Sequence, residues 1–412
     1  MAGFAAVGRV LAQRNARIFY AGSLTCWTGL WMQRVAVEWL TWQLTHSPLW
    51  VGIMAFCNLG PAVLISPFAG AAADRMDRVR LTVSTQMVAC VHGAILATLV
   101  LTGLIEIHVM AALEVVLGVA QTFAQPARQT LIPGLVGRND LPGAMVLNSL
   151  TYNLARFSGP ALAGPIIALW GVVPAMLANS ASYALASFSM PLLRLAPGIR
   201  RGHKPTGSVW REALEGIQYV ARHVGMAPLL LYAAILGSTM RAIPETLPPF
   251  VAELFGRGAP GRATLASTMG LGALVGGTGI ALHGKLQGLC RIAIWAGLAM
   301  VLSTAGFVAT HSFPFAVGCA AVMGCSATLH GISVSTLIQT NAAGPMIGRV
   351  LSLWGMITRA GPALGAILFG ATSEFAGLQL PVLAACALCL VAFAWAMRRM
   401  GAMAGVLERS PG

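Results

Sequence analysis

Charge is what this sequence has least of. Only 9% of its 412 residues are Asp, Glu, Lys or Arg, where a soluble globular domain carries about 25%. A chain of this length cannot build a charged shell from so little, which excludes a soluble enzyme, a disordered chain and a secreted disulfide scaffold. Acidic residues are scarcer still, 12 against 26 Lys and Arg. The phosphate-cradling pattern Gly-x-x-x-x-Gly-Lys-Ser/Thr is missing. The polar segments hold no nucleophile–base pair or metal cluster. The sequence therefore points away from an enzyme, calls for no cofactor and leaves a gradient as the energy source. Cysteine is sparse, with 8 residues, all in apolar runs. Cys386 and Cys389 form a C-x-x-C with no His or acidic neighbour, so they read as small helix residues rather than a metal or redox site.

Apolar residues make up 57% of the chain, Gly adds 47 positions, and mean hydropathy is +0.76. The bilayer must be the solvent for most of this surface, and a spanning helix needs about 20 apolar residues. Apolar stretches fall near 18–42, 49–72, 82–104, 107–127, 143–168, 172–193, 227–250, 264–283, 290–310, 313–338, 349–373 and 378–398. They must be helices, because a strand edge facing lipid would leave backbone groups unpaired. The expected fold is all-α and integral to the membrane, with twelve transmembrane helices. The first run follows Arg9, Arg14 and Arg17, is too long for a signal peptide and has no small-residue cleavage site. It reads as an uncleaved span.

Basic residues alternate between loops. Arg75, Arg78 and Arg80 follow span 2, Arg128 and Arg138 follow span 4, and a run from Arg194 to Arg222 follows span 6. Lys285 and Arg291 follow span 8, while Arg398, Arg399 and Arg409 end the chain; the opposite side has only Arg257 and Arg262. Such bias places both termini in the cytoplasm, in a multi-pass protein of the cytoplasmic (inner) membrane. The net charge of +14 is thus membrane-side bias and implies no nucleic acid partner. The long polar stretch carries Trp210, Leu214, Ile217 and Val220 at helical spacing, an amphipathic helix on the cytoplasmic surface. It divides the chain into bundles at 1–195 and 226–412, with a linker at 196–225. Thr130-Leu131-Ile132 recurs as Thr336-Leu337-Ile338, and Gly159-Pro160-Ala161-Leu162 as Gly361-Pro362-Ala363-Leu364. Two parallel six-helix repeats are a transporter architecture.

Ionisable residues inside spans are costly and face cavities or partners. In span 1, Trp27, Trp31, Arg34, Glu38, Thr41 and Trp42 share an arc of about 100°. Glu114, Gly118, Gln121, Gln125 and Arg128 share a face of span 4. Span 5 aligns Ser149, Asn153, Arg156 and Pro160; span 7 carries Ser238, Arg241 and Glu245; span 10 carries Ser326, His330, Ser333 and Thr340. Two readings of Arg34–Glu38 stand side by side, a self-satisfied i,i+4 pair and a functional one. Glu114 reads equally as a proton carrier or as the partner of an Arg on another span. His92 and His330 read first as hydrogen-bonded packing.

After span 2, Gly70-Ala71-Ala72-Ala73-Asp74-Arg75-Met76-Asp77-Arg78-Val79-Arg80 resembles the cytoplasmic signature of the major facilitator superfamily. Asp77 stands where that pattern has Gly. Leu44 through Gly52, Gln125 through Gln129, Asn153 through Ala161 and Gly348 through Ser352 are similar to the secretion-type exporter branch that includes the enterobactin exporter. Gly159-Pro160 through Gly164 also resembles the span 5 signature of drug/proton antiporters. The resemblance implies the major facilitator fold and a cytoplasmic gate at Gly70, Asp74, Arg75 and Arg78.

The expected function is export of a small organic molecule, a siderophore-like metabolite or a drug, by alternating access with proton antiport. Import or facilitated diffusion of a small metabolite, and lysolipid flipping, are the alternatives on the same fold. Glu38 and Glu114 are the candidate proton carriers. Trp27, Trp31, Arg34, Gln121, Gln125, Asn153, Arg156, Arg241 and His330 are the candidate cavity residues. The expected partners are the substrate, protons and the lipid bilayer, with the chain acting as a monomer.

Overall fold

The computed structural model describes residues 2–194, 209–343 and 346–408. A short helix α1 (Ala2–Ala12) leads into α2 (Arg14–Thr45), followed by α3 (Pro48–Leu59), α4 (Pro61–Arg75), α5 (Arg78–Leu101) and α6 (Ile107–Leu131). Then come α7 (Leu141–Trp170), α8 (Val173–Ser189) and the linker helix α9 (Val209–Arg222). The remaining helices are α10 (Met226–Ser238), α11 (Ala259–His283), α12 (Leu289–Ala309), α13 (Phe313–Asn341), α14 (Ile347–Ala376) and α15 (Gln379–Leu407). Every apolar run read from the sequence lies on one or two of these helices except 227–250, which leaves the α-helix after Ser238, and no strand occurs among the described residues.

Nine stretches among the described residues, Pro48–Ser66 to Gln379–Leu407, are long and apolar enough to cross a membrane. Two helices outside that group, α2 and α7, carry polar stripes, and a third, α8, is only 17 residues long. Large apolar side chains point outward in number: Phe375 is 93% exposed and Leu282 84%. In water such a surface would aggregate. In hydrocarbon it is the expected exterior.

Local chemistry sets the helix ends. Ser47 caps α3 by accepting from the Trp50 N–H, with Pro48 at the first helical position, where a missing N–H costs nothing. The Asp77 carboxylate caps α5 by accepting from Val79 N at 2.9 Å and Arg80 N at 3.0 Å. That gives a physical reason for Asp where the superfamily pattern has Gly. The repeat is visible in α7 and α14. Both run 30 residues, both contain Gly-Pro-Ala-Leu, and they stop at Gly171 (φ +78°) and Gly377 (φ +71°). Left-handed backbone of this kind favours glycine.

The stretch after α10 departs from a single expected span. The α-helix stops at Ser238, a 3₁₀ segment covers Met240–Thr246, and a π turn covers Phe250–Leu254. Pro244, Pro248 and Pro249 supply no N–H, so the regular ladder cannot continue. Irregular backbone at membrane depth survives where protein covers it, and this span is the most enclosed of the nine, 67% buried.

Contacts divide the chain into two units. One comprises Met1–Leu44, Leu64–Thr206 and Gly258–Ser267; the other comprises Thr45–Val63, Gly207–Arg257 and Thr268–Gly412. In the second, α11 and α13 approach so closely that a Cβ at Gly272 would lie 2.0 Å from the Ala321 carbonyl oxygen. In the same unit the linker helix α9 is held by Glu215–Arg349 at 2.7 Å and buries Val220, while Leu214 and Ile217 stay exposed. An open cleft of about 410 Å³ lies beside it, lined by Glu215, Gln218, Tyr219, Arg222, His223 and Met346.

Candidate functional site

In the first unit, Trp27 and Trp31 stand one turn apart on α2, and both meet Tyr152 of α7. Tyr152 is edge-on to Trp27 at 5.3 Å between ring centroids and to Trp31 at 6.2 Å. Gly159 permits this approach: a Cβ there would sit 2.5 Å from the Cβ of Trp31. Three guanidiniums cover the aromatic ridge. Arg34 lies 5.1 Å and Arg156 5.6 Å from the Trp31 centroid, and Arg128 lies 4.4 Å from that of Trp27. Ring faces attract cations in this way. Arg128 also donates to Ser23 Oγ at 2.6 Å and contacts Cys26 Sγ at 3.3 Å. Among the described residues no carboxylate pairs with Arg128 or Arg156.

Glu38 is enclosed by two arginines. Its Oε1 lies 3.4 Å from Arg34 Nε. Its Oε2 accepts from Arg262 Nε at 3.1 Å and from Arg262 Nη2. The sequence placed Arg262 among the loop charges of the poorly charged side. Instead it lies in the first turn of α11 and is only 3% exposed. A guanidinium buried this far needs a matched anion, and Glu38 is that anion.

Glu114 faces a histidine. Its Oε1 lies 3.4 Å from His92 Nε2, with both side chains at most 5% exposed. His92 Nδ1 lies 2.9 Å from Gln33 Nε2, and Gln33 Oε1 accepts from Asn179 Nδ2. Four helices, α2, α5, α6 and α8, thus contribute one side chain each to a buried polar chain. Of the two readings open for Glu114, an arginine partner or a proton, the geometry adds a third, the His92 imidazole.

The other candidates are dispersed. Gln121 is half-buried, its Nε2 without a hydrogen-bond partner among the described residues, and Gln125 is exposed. Asn153 donates back to the Ser149 carbonyl at 2.9 Å. In the second unit, His330 is buried, with Nδ1 2.9 Å from the Ala293 carbonyl oxygen and its ring 5.8 Å from Tyr232. That is the hydrogen-bonded packing expected for it. Arg241 lies in the 3₁₀ segment after the α10 break, and its Nη1 would be 3.4 Å from a Cβ at Gly331. At the expected gate, Arg78 donates to the Thr130 carbonyl at 3.3 Å. Gly70, Asp74 and Arg75 lie on α4, but their side-chain surroundings fall outside the described residues. Sequence reasoning missed Tyr152, Gln33, Asn179 and the inward position of Arg262. Gln33 and Asn179, amides inside membrane-length apolar runs, left a signal that could have been read.

Residues 9–405 match the transmembrane secretion effector family. The chain belongs to this family of major facilitator transporters. It is 27% identical over 348 residues to the enterobactin exporter EntS of Shigella dysenteriae, covering 82% of this chain and 80% of that one. Identity is 26% over 371 residues to the multidrug efflux pump Tap of Mycolicibacterium fortuitum, covering 88% and 90%. The staphyloferrin A transporter of Staphylococcus aureus is 30% identical over 155 residues, 37% of this chain and 39% of that protein. The fold also resembles a solved POT family transporter in complex with 5-aminolevulinic acid, with a TM-score of 0.77, 12% identity and coverage of 95% and 97%. The chain is therefore a multi-pass membrane transporter with the major facilitator fold.

Proposed function

We propose that this transporter exports a small anionic, partly aromatic molecule, of siderophore or drug type, by alternating access coupled to proton influx. The observation that carries the reading is the Trp27–Trp31–Tyr152 ridge, over which Arg128 and Arg156 have no carboxylate partner among the described residues. Rings supply a stacking face, and guanidiniums without a paired anion attract an anionic ligand. The relatives named as exporters of enterobactin and of multiple drugs support export and this range of substrates.

In this reading the bundles 1–195 and 226–412 rock about the site, joined by the linker 196–225. Twelve helices cross the inner membrane with both termini cytoplasmic, and Gly70, Asp74, Arg75 and Arg78 close the cytoplasmic side. A single chain suffices. Glu38, clamped by Arg34 and Arg262, serves as a fixed anion tying α2 to the head of α11, and the proton is carried at the buried His92–Glu114 pair.

Binding to purified protein tests the substrate class, with enterobactin, staphyloferrin A and tetraphenylphosphonium as probes and tryptophan quenching as the readout. An anionic probe should bind, and Arg156→Gln should weaken it about tenfold, the value of one cation contact of roughly 1.4 kcal/mol. Preference for the cation, undiminished in Arg156→Gln, would overturn the anionic reading.

A further inference from the structure

The buried chain Asn179–Gln33–His92–Glu114 has a direction, and that direction constrains where a proton can go. Asn179 Nδ2 donates to Gln33 Oε1, which turns Gln33 Nε2 toward His92 Nδ1. An amide N–H can only donate, so Nδ1 is an acceptor and the ring proton of a neutral imidazole sits on Nε2. Nε2 is the nitrogen facing Glu114 Oε1, 3.4 Å away. In this orientation Asn179 Oδ1 and His92 Nε2 are both buried with no hydrogen-bond partner among the described residues.

Reversing both amides uses that unmatched oxygen. Gln33 Nε2 would then donate to Asn179 Oδ1, and Gln33 Oε1 would face His92 Nδ1. An oxygen there accepts a second ring N–H, the one an imidazolium carries. The same four side chains therefore fit two proton counts, a neutral ring with the amides in one orientation and a charged ring with them reversed. Space for the turn is kept at Gly93, where a Cβ would lie 3.0 Å from Gln33 Oε1.

The geometry points to His92, paired with Glu114 and read by the Gln33–Asn179 amides, as the group that takes up the coupling proton. This deepens the proposed antiport and rests on it for its role in transport. One proton is gained and no other covalent bond changes: Nδ1 acquires the hydrogen, Nε2–H still faces the Glu114 carboxylate at 3.4 Å, and the amides reverse. Cys26 of α2 and Tyr183 of α8 pack in the neighbouring layer of Ala89 and Leu117. Cys90 on α5 itself is bonded to Ser180.

Nitrogen NMR of purified protein carrying ¹⁵N-histidine, with His92→Asn to identify the signal, tests this without any substrate. Neutral His92 should carry its proton on Nε2, and a second ring proton should appear on Nδ1 as the sample is acidified. Glu114→Gln, which keeps the side-chain shape, should make the second protonation harder, because it removes the negative charge that faces the ring. Gln33→Leu should also move the midpoint, while Ser180→Ala, beside the chain but outside it, should not. A His92 ring protonated at Nδ1 when neutral, a ring that never titrates, or a midpoint indifferent to Glu114→Gln would overturn the inference. Failure of the antiport reading looks different. The NMR titration would then behave as described while substrate movement in liposomes displaced no protons.

Discussion

Glu38 illustrates how much of a residue's role lies beyond its own helix. Its pairing with Arg34 follows from i,i+4 spacing and was legible in the sequence. Its second partner, Arg262, is 224 positions away, and no local pattern reports such a contact. The same holds for Glu114: periodicity put it on a polar face, but His92 belongs to another helix. Gln33 was missed because it sits about 100° from Arg34 on α2, off the charged face. Removing one member of a buried ion pair leaves the other uncompensated, at a cost of about 3–5 kcal/mol. Glu38→Ala should therefore lower stability by that order, measured as thermal unfolding in detergent. Adding Arg262→Met to Glu38→Ala should recover most of the loss. A double variant no more stable than Glu38→Ala alone would contradict the pairing.

Among the elements, the helices were legible and the break after α10 was not. Apolar length fixes a span, but three prolines within a continuous apolar run decide whether it remains an α-helix. The glycines of α11 let it pack closely on α13. With a Cβ at Gly272 only 2.0 Å from a backbone oxygen, the two helices would have to separate. Gly272→Leu should prevent stable folding, seen as loss of a monodisperse peak in size-exclusion chromatography, whereas Gly318→Ala, where a Cβ meets nothing within 4 Å, should be silent. The junction of α9 and α10 carries a pH dependence of its own. His223 Nδ1 accepts from Gly225 N and Met226 N, each at 3.2 Å, and partial burial lowers its pKa from the ordinary 6.5. Between the lowered value and 6.5 the unfolded chain binds the extra proton, so stability rises with pH. The contribution is complete above the ordinary value and is lost as pH falls through the lowered one. Melting temperature between about pH 7 and pH 5 should fall less for His223→Gln than for the unaltered chain. Equal falls would contradict the role of the cap.

For the whole molecule, composition decided the most. Scarce charge, excess apolar residues and the repeat of Gly-Pro-Ala-Leu led to a membrane transporter before any contact was known. The family match over residues 9–405 agrees. The proposed substrate site was only half legible. Trp27, Trp31, Arg34 and Arg156 were named from helical faces, but the proposal rests on Tyr152 between the rings and on the lack, among the described residues, of a carboxylate on Arg156. Both are facts about packing between helices. The proposed antiport needs two parts, a site for the anion and a separate group for the proton, and the proposals above assign one to the aromatic ridge and the other to His92. The most direct test is to reconstitute the protein in liposomes with a trapped pH dye, impose a pH gradient and add enterobactin. The account predicts proton movement on addition, abolished in His92→Asn and Glu114→Gln but retained in Ser180→Ala. Enterobactin movement with no accompanying proton flux would contradict it.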